Sequence, residues 1–504
     1  MNRIQEANRL LAENLVESII KDYDACGVAA AIIDKNGVTQ YEKFWGSKEL
    51  GTGEKPDGET IFGLASVTKS FTALAIMQME ERGILNLDDP VSKYVPEFTN
   101  KNQKTVTIRH LLSHSGGFFP LPRILIDEVA AEMGLDEAVV GDLAYNDALA
   151  AEGVRRVAER LDAQTEECGL NGEPGEYLSY CNDGFALLSD IIRRYGGEPS
   201  YADYLLKNVM KPLGMERSFC DFVRPSKDPN AAVLYKKVNG VMTGSRDYHD
   251  RAFVLNGGGA MKSTLNDLKK YLTMYLNEGK ASNGVRILSE TGIREMCKPR
   301  QLYGAFGHYG YGVSMRQMDD LKIVEHGGSL PGVSSNIAWS YEAEAAVIIL
   351  CNTSGVPVKV ISDALMKMYN GRNPIDKRDV WQETTWDEET IRDAVGMYIS
   401  GEGTTVELYK KEDGTIGARE SGKEVSIIPV SPKNAIFRNK YSDLFIRLIQ
   451  NEKRGIYAIA HGSRLIPKSK PEQSFSIREC CTGIGHNNTR FFCFGYDCFC
   501  TARQ

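Results

Sequence analysis

The chain has 504 residues, 42% hydrophobic and 25% charged, an ordinary globular composition with room for one large domain and a smaller one. A net charge of −7 offers no basic footprint, which argues against nucleic acid or an anionic membrane as a partner. No stretch reaches the ~18 consecutive apolar residues that a membrane-spanning helix needs.

The N-terminal stretch MNRIQEANRLLAENLVESIIKDY places apolar residues at helical spacing with Glu and Lys between them. It predicts an amphipathic helix and not a signal peptide, so the expected location is cytoplasmic. Val28–Asp34 and Val38–Trp45, joined across Asn36-Gly37, predict a β-hairpin. Residues 66 to 83 are apolar at helical period and end near Gly83, and TIRHLLSHSGG at Thr107–Gly117 predicts a short helix running into a glycine turn. Residues 119 to 173 are acidic, Ala-rich and helical in pattern, and two more helices are expected between 183 and 215. Strands return at Leu321–Glu325, Asn336–Trp339 and Ala345–Cys351, followed by a helix over Val356–Tyr369. Strands at both ends with helices between them predict an α+β domain: an antiparallel sheet flanked by helices, carrying an inserted helical lobe.

This domain is expected to span 1–375. A polar linker follows over 376–386. Residues 387–470 alternate in short segments, with turn signals at Lys411-Glu-Asp-Gly414 and Arg419-Glu-Ser-Gly422, and predict a small β-barrel. Residues 471–504 form a Cys-rich tail, read as disordered. Of the 11 cysteines, Cys480, Cys481, Cys493, Cys498 and Cys500 fall in that tail. It could be a metal-binding appendage, but its spacings form no clean paired C-x-x-C set, so a disordered or artefactual extension is the expectation, with no metal and no cofactor. The other six are read as reduced core thiols.

Three short motifs carry chemistry. Ser66-Val-Thr-Lys69 puts a hydroxyl and an amine one helical turn apart, where the amine can take the serine proton. Alone the motif is weak, because Ser18-Ile-Ile-Lys21 repeats it on the solvated face of the first helix, and Ser66 could equally cap a helix. Tyr180-Cys-Asn182 follows a Pro-Gly turn and precedes a helix, which suits a phenolic proton relay and an amide that orients substrate. His326-Gly-Gly328 leaves the Leu321–Glu325 strand and enters Ser329-Leu-Pro-Gly332, offering a side-chain donor and a backbone N–H. His114-Ser-Gly116 and His308-Tyr-Gly310 share the His-x-Gly form and are taken as decoys, as is Tyr275-Leu-Asn277 for the second motif.

In this order, Ser-x-x-Lys, Tyr-x-Asn and His-x-Gly resemble the triple motif of penicillin-recognising serine enzymes, and the chain resembles the class C β-lactamase-like family. That family includes D-alanyl-D-alanine carboxypeptidases, D-aminopeptidases and esterases. Further blocks look alike: Phe62-Gly-Leu-Ala, Asp88–Pro96, Ile108–Gly116, Lys211–Met215 and Gly257–Ala260 with Ser263-Thr-Leu-Asn-Asp-Leu. The resemblance runs from about residue 20 to about residue 370 and implies a β-lactamase/transpeptidase-like fold, with the C-terminal segment similar to the lipocalin-like barrel of some members. It implies Ser66 as nucleophile, Lys69 as base and Tyr180 as proton shuttle. Asn182, His326, Gly328 and Ser329 would then bind substrate, with the N–H groups of Ser66 and Ser329 as oxyanion hole. His326 stands where many members carry lysine. The expected partner is a peptide or small-molecule substrate, with self-association open. A β-lactam sensor and a catalytically dead scaffold are the rival readings.

Overall fold

The structure is a computed structural model that describes residues 4–101, 105–135, 147–167, 172–221, 223–248, 255–375 and 379–469. The Cys-rich tail and Cys168 lie outside the described residues. The chain divides into two compact units: one runs to Asp376 apart from Phe119–Pro122, and the other comprises Phe119–Pro122 and the chain from Lys377.

The first unit is built on an eight-stranded sheet, ordered Thr39–Gly46, Gly27–Asp34, Ala345–Cys351, Val333–Ser340, Leu321–Leu330, Ser314–Met318, Gly307–Tyr309, Gln301–Tyr303. All assigned pairings are antiparallel, so the N-terminal hairpin joins strands from more than 250 residues later, with Ala30 opposite Ile349. The central strands GVAAAIID and AAVIILC are buried along nearly their whole length. Such unbroken apolar runs need cover on both faces, which the helices Glu6–Tyr23, Leu265–Leu276 and Val358–Tyr369 help to supply. Ser18 sits exposed on the first of these, its hydroxyl donating to the Asn14 carbonyl, so the second Ser-x-x-Lys copy is a surface feature.

The expected hairpin, the late strands and the last helix are present, but the Leu321 strand does not end at Glu325. It continues to Leu330, carrying His326, Gly328 and Ser329 within the sheet and paired to Val333–Ser340. Three short strands between Gln301 and Met318 were not foreseen. The helical region includes Ile108–Leu112, Ile126–Glu132, Asp147–Glu167, Asn182–Tyr195 and Tyr201–Leu205. Five buried cysteines in this unit are free thiols, and burial pushes those of Cys181, Cys220, Cys297 and Cys351 up to about 12. They are packing groups and not nucleophiles.

The second unit is an eight-stranded antiparallel meander from Gly396–Ile399 to Arg464–Pro467, each strand paired with the next. Tyr398 bridges Lys468, and the Ser469 N–H donates to the Met397 carbonyl at 2.7 Å, so last strand meets first and the barrel is nearly closed. Ser421-Gly422 forms the expected tight turn between Glu420 and Lys423, with φ 48° and 78°. The interior is filled by Leu408, Ile416, Phe437, Ile446, Leu448 and Ile459, among others. Trp386, placed in the linker on sequence grounds, is buried in this core, and its indole N–H donates to the Ser431 carbonyl. Among the described residues no helix is long and apolar enough to cross a membrane.

Candidate active site

Phe62–Gly63 pairs with Lys262–Ser263, and the chain then turns through Ala65, whose φ of 47° is left-handed, into a 3₁₀ turn at Ala65–Val67 that continues as the helix Thr68–Glu81. This turn places Ser66 half-buried at the start of the helix and Lys69 one turn on, with no exposed surface. The turn is held from outside. The Ser335 hydroxyl donates to the Leu64 carbonyl at 2.7 Å, and the Thr68 hydroxyl donates to the Ala65 carbonyl at 2.6 Å. The Leu321–Leu330 strand passes so close that a side chain at Gly328 would collide with the Leu64 carbonyl and the Ser335 hydroxyl. Gly328 therefore acts through its missing Cβ, and Ser329, next along the strand, is exposed beside it.

The Lys69 amine lies 3.3 Å from Ser66 Oγ, 2.8 Å from Asn182 Oδ1 and 2.8 Å from the Gly258 carbonyl. The last two are pure acceptors, whereas a hydroxyl can donate or accept. An ammonium would donate to all three. A neutral amine has two N–H groups and one lone pair, which match two acceptors and one hydroxyl donor. The same three contacts thus suit both protonation states, and in the neutral one the lone pair faces the serine proton.

Asn182 opens the helix Asn182–Tyr195, which aims its amide at Lys69. Tyr180 is buried two residues earlier, with Lys69 Nζ 4.7 Å from its ring centroid; Phe185 presents a second ring at 5.4 Å. Gly258 lies in the short helix Leu255–Gly259, where an added Cβ would stand 3.2 Å from Lys69 Nζ.

His326 is only 6% exposed. Its Nδ1 is 2.7 Å from the Gly327 carbonyl and its Nε2 is 2.9 Å from the Tyr309 hydroxyl. The carbonyl can only accept, which assigns the proton to Nδ1 and makes Tyr309 the donor to Nε2. Both nitrogens are therefore engaged within the protein in this structure. Its ring lies 6.4 Å from that of Tyr180, so it belongs to the wall of the site. On the opposite face of the strand, burial pushes the Glu325 carboxyl up, but the Arg316 guanidinium and the Lys359 ammonium outweigh it and hold it at about 2.

Two neighbours of the Lys69–Tyr180 cluster were not expected from sequence. The Gly258 carbonyl is a backbone group, which residue identity cannot announce. His114, dismissed as a decoy, stacks on Tyr180 with ring centroids 4.0 Å apart. His308 and Tyr275 remain outside the Lys69 cluster. No group of three or more His, Cys, Asp or Glu suited to a metal ion occurs among the described residues.

A hydroxyl and an amine in contact at a helix start, with amide and phenol alongside, is an arrangement suited to serine acyl transfer. The profile of the Beta-lactamase family matches residues 12–366, and the chain belongs to that family. Penicillin-binding protein 4* of Bacillus subtilis (strain 168) is 27% identical over 374 residues, covering 69% of this chain and 73% of the relative. Protein flp of Staphylococcus aureus (strain MW2) is 30% identical over 193 residues, 38% of this chain and 34% of its own length. The octameric penicillin-binding protein homologue from Pyrococcus abyssi superposes over 92% of this chain and 99% of its own, with a TM-score of 0.63 and 25% identity. The crystal structure of SurE shares the fold at a TM-score of 0.67 and 19% identity, over 92% and 99% of the two chains. These relatives place the chain in the serine acyl-transferase and hydrolase superfamily.

Proposed function

We propose that this protein is a serine hydrolase that cleaves an amide or ester bond through an acyl-enzyme on Ser66. The observation that carries the reading is the environment of Lys69: a fully buried amine in contact with Ser66 Oγ and two neutral acceptor oxygens. In the first step Ser66 Oγ passes its proton to neutral Lys69 and bonds to the substrate carbonyl carbon. The resulting oxyanion is received by the N–H groups of Ser66 and Ser329. Tyr180 delivers a proton to the leaving amine or alcohol as the carbonyl–leaving-group bond breaks, and Asn182 orients both Lys69 and substrate. Lys69 then hands the serine proton to the Tyr180 phenolate, which resets both groups; neutral Lys69 takes a proton from the attacking water and returns it to Ser66 Oγ as the acyl group leaves as the acid.

The substrate class favoured by the family resemblance is a short peptide or amide of the D-aminopeptidase or D-alanyl-D-alanine carboxypeptidase type, with an ester or β-lactam as close alternatives. The Pyrococcus abyssi homologue is described as octameric, and self-association is proposed here by analogy with it.

Intact-mass analysis after treatment with a fluorophosphonate tests the reading. One adduct, mapped to the peptide holding Ser66 and abolished by Ser66→Ala, is expected. Unmodified Ser66 in a folded protein would overturn it. A β-lactam adduct that forms but never turns over, on an enzyme inert to esters and amides, would favour a sensor instead.

A further inference from the structure

We propose that His114 is a positioning residue for Tyr180, fixing the phenol for proton delivery to the leaving group; this rests on the role assigned to Tyr180 above. The argument begins with the backbone. His114 ends the turn after the helix Ile108–Leu112 in a left-handed conformation, φ 53°, which histidine tolerates better than most side chains. That conformation turns its carbonyl and its ring toward the same partner segment. The His114 carbonyl accepts from the Ser179 N–H at 2.8 Å, and His114 Nδ1 accepts from the Cys181 N–H at 3.1 Å. One residue thus holds the backbone N–H groups of both chain neighbours of Tyr180, Ser179 and Cys181. The neighbouring bonds extend the clamp: Gly175 N–H to the Ser115 carbonyl at 2.7 Å, and the Ser179 hydroxyl to the Phe118 carbonyl at 2.6 Å.

The ring adds a second restraint. It stacks on Tyr180 at 4.0 Å with a tilt of 32°, and it also meets Phe185 at 4.9 Å and Tyr309 at 5.0 Å. Tyr180 is therefore gripped through its backbone and its face by one side chain, while Tyr309 closes edge-on at 6.4 Å. His114 is itself 2% exposed, so it acts through Tyr180 and not on substrate. Because Nδ1 accepts from a peptide N–H, the imidazole is held neutral with its proton on Nε2. Phenylalanine could stack there but could not accept the Cys181 N–H. Asparagine could accept and tolerate the left-handed φ but could not stack.

The test is a leaving-group series of aryl acetates, from p-nitrophenyl to p-methoxyphenyl, with wild type, His114→Asn, Tyr180→Phe and the double variant. A misplaced proton donor matters more as the leaving phenoxide becomes more basic. His114→Asn should therefore lose little kcat with p-nitrophenyl acetate and about 10²-fold with the least activated ester, at similar KM. Tyr180→Phe should show the same trend, and the double variant should be no slower than Tyr180→Phe alone. Equal slowing of all esters by His114→Asn, or losses that multiply in the double variant, would overturn the proposal. His114→Gln serves if His114→Asn fails to fold by circular dichroism. If Tyr180→Phe shows no leaving-group dependence, the role of Tyr180 itself falls, and this inference with it.

Discussion

Two basic side chains, a half-buried Arg316 and a fully buried Lys69, lie near the Leu321–Leu330 strand, and the protein surrounds them differently. Arg316 is answered by charge: its guanidinium pairs with Glu325 at 2.8 Å and with Asp363, and Lys359 joins the same carboxylates. The Lys69 amine contacts an amide oxygen, a peptide carbonyl, a hydroxyl and two aromatic faces. Opposite charge locks a group into its ionised form, whereas dipoles solvate either form. The first centre is built to stay charged, and the proposed role of Lys69 requires the second to leave the proton transferable. Glu325 and His326 are neighbours in sequence, so the alternation of a single strand separates a structural ion pair from the wall of the site.

The sharpest way to break this contrast is Lys69→Arg, which keeps the charge and removes the ability to deprotonate near neutrality. Fluorophosphonate labelling of Ser66 should slow by roughly 10²–10⁴-fold, as expected for a lost general base. Labelling at the wild-type rate would show that these contacts serve packing alone. The Arg316 side is tested by Glu325→Gln, which removes the buried carboxylate from between Arg316 and Lys359 and leaves the half-buried guanidinium with Asp363 alone. Urea denaturation should show a loss of about 3 kcal/mol. The sign with pH follows from the depressed carboxyl. Its contribution is complete above the unfolded value of ~4.3 and is lost as pH falls toward about 2, so wild type and variant should converge in acid.

A finer probe is Gly258→Ala, whose Cβ would press on Lys69 Nζ from 3.2 Å. It should lower the acylation rate by about tenfold while leaving the denaturation midpoint near wild type, since a small shift of the amine costs more in chemistry than in packing. The smallest effect is expected at His110. Its Nδ1 accepts the Thr107 N–H at 3.1 Å and caps the helix that leads into His114. His110→Ala should cost about 1 kcal/mol. Burial depresses the His110 imidazole, so the unfolded chain takes up the proton first and wild type loses stability as pH drops below ~6.5. The alanine variant should lack that part of the acid slope in its urea midpoints.

How far the sequence reached depended on what kind of atom does the work. The contact between Ser66 and Lys69 was legible because one turn of helix fixes their distance, and the approach of Tyr180 and Asn182 to Lys69 because a loop leading into a helix has few ways to point. The Gly258 carbonyl was invisible, since every residue has one. The contacts of His114 with residues 179 to 181 were not legible, because its His-x-Gly context looks like that of His308 and only tertiary packing separates the two. The strands Gln301–Tyr303, Gly307–Tyr309 and Ser314–Met318 escaped because runs of three to five residues broken by glycine carry too little periodicity. The contact of His326 with Tyr309 was not legible, because it depends on the strand running on through Gly328 and on the short Gly307–Tyr309 strand beside it.

The near-closure of the C-terminal barrel has a bearing on chain connectivity. Its first strand, Gly396–Ile399, is laced to Lys468 and Ser469, so the two ends of this unit's sheet are neighbours in space. In such a ring the covalent starting point is arbitrary, because every strand already has its two partners and consecutive strands are joined by turns alone. Joining the natural ends through a few residues and reopening the chain at the Ser421-Gly422 turn would preserve every strand pair. The order of strands in this unit is a circular word, and the gene reads it from one of several equivalent letters.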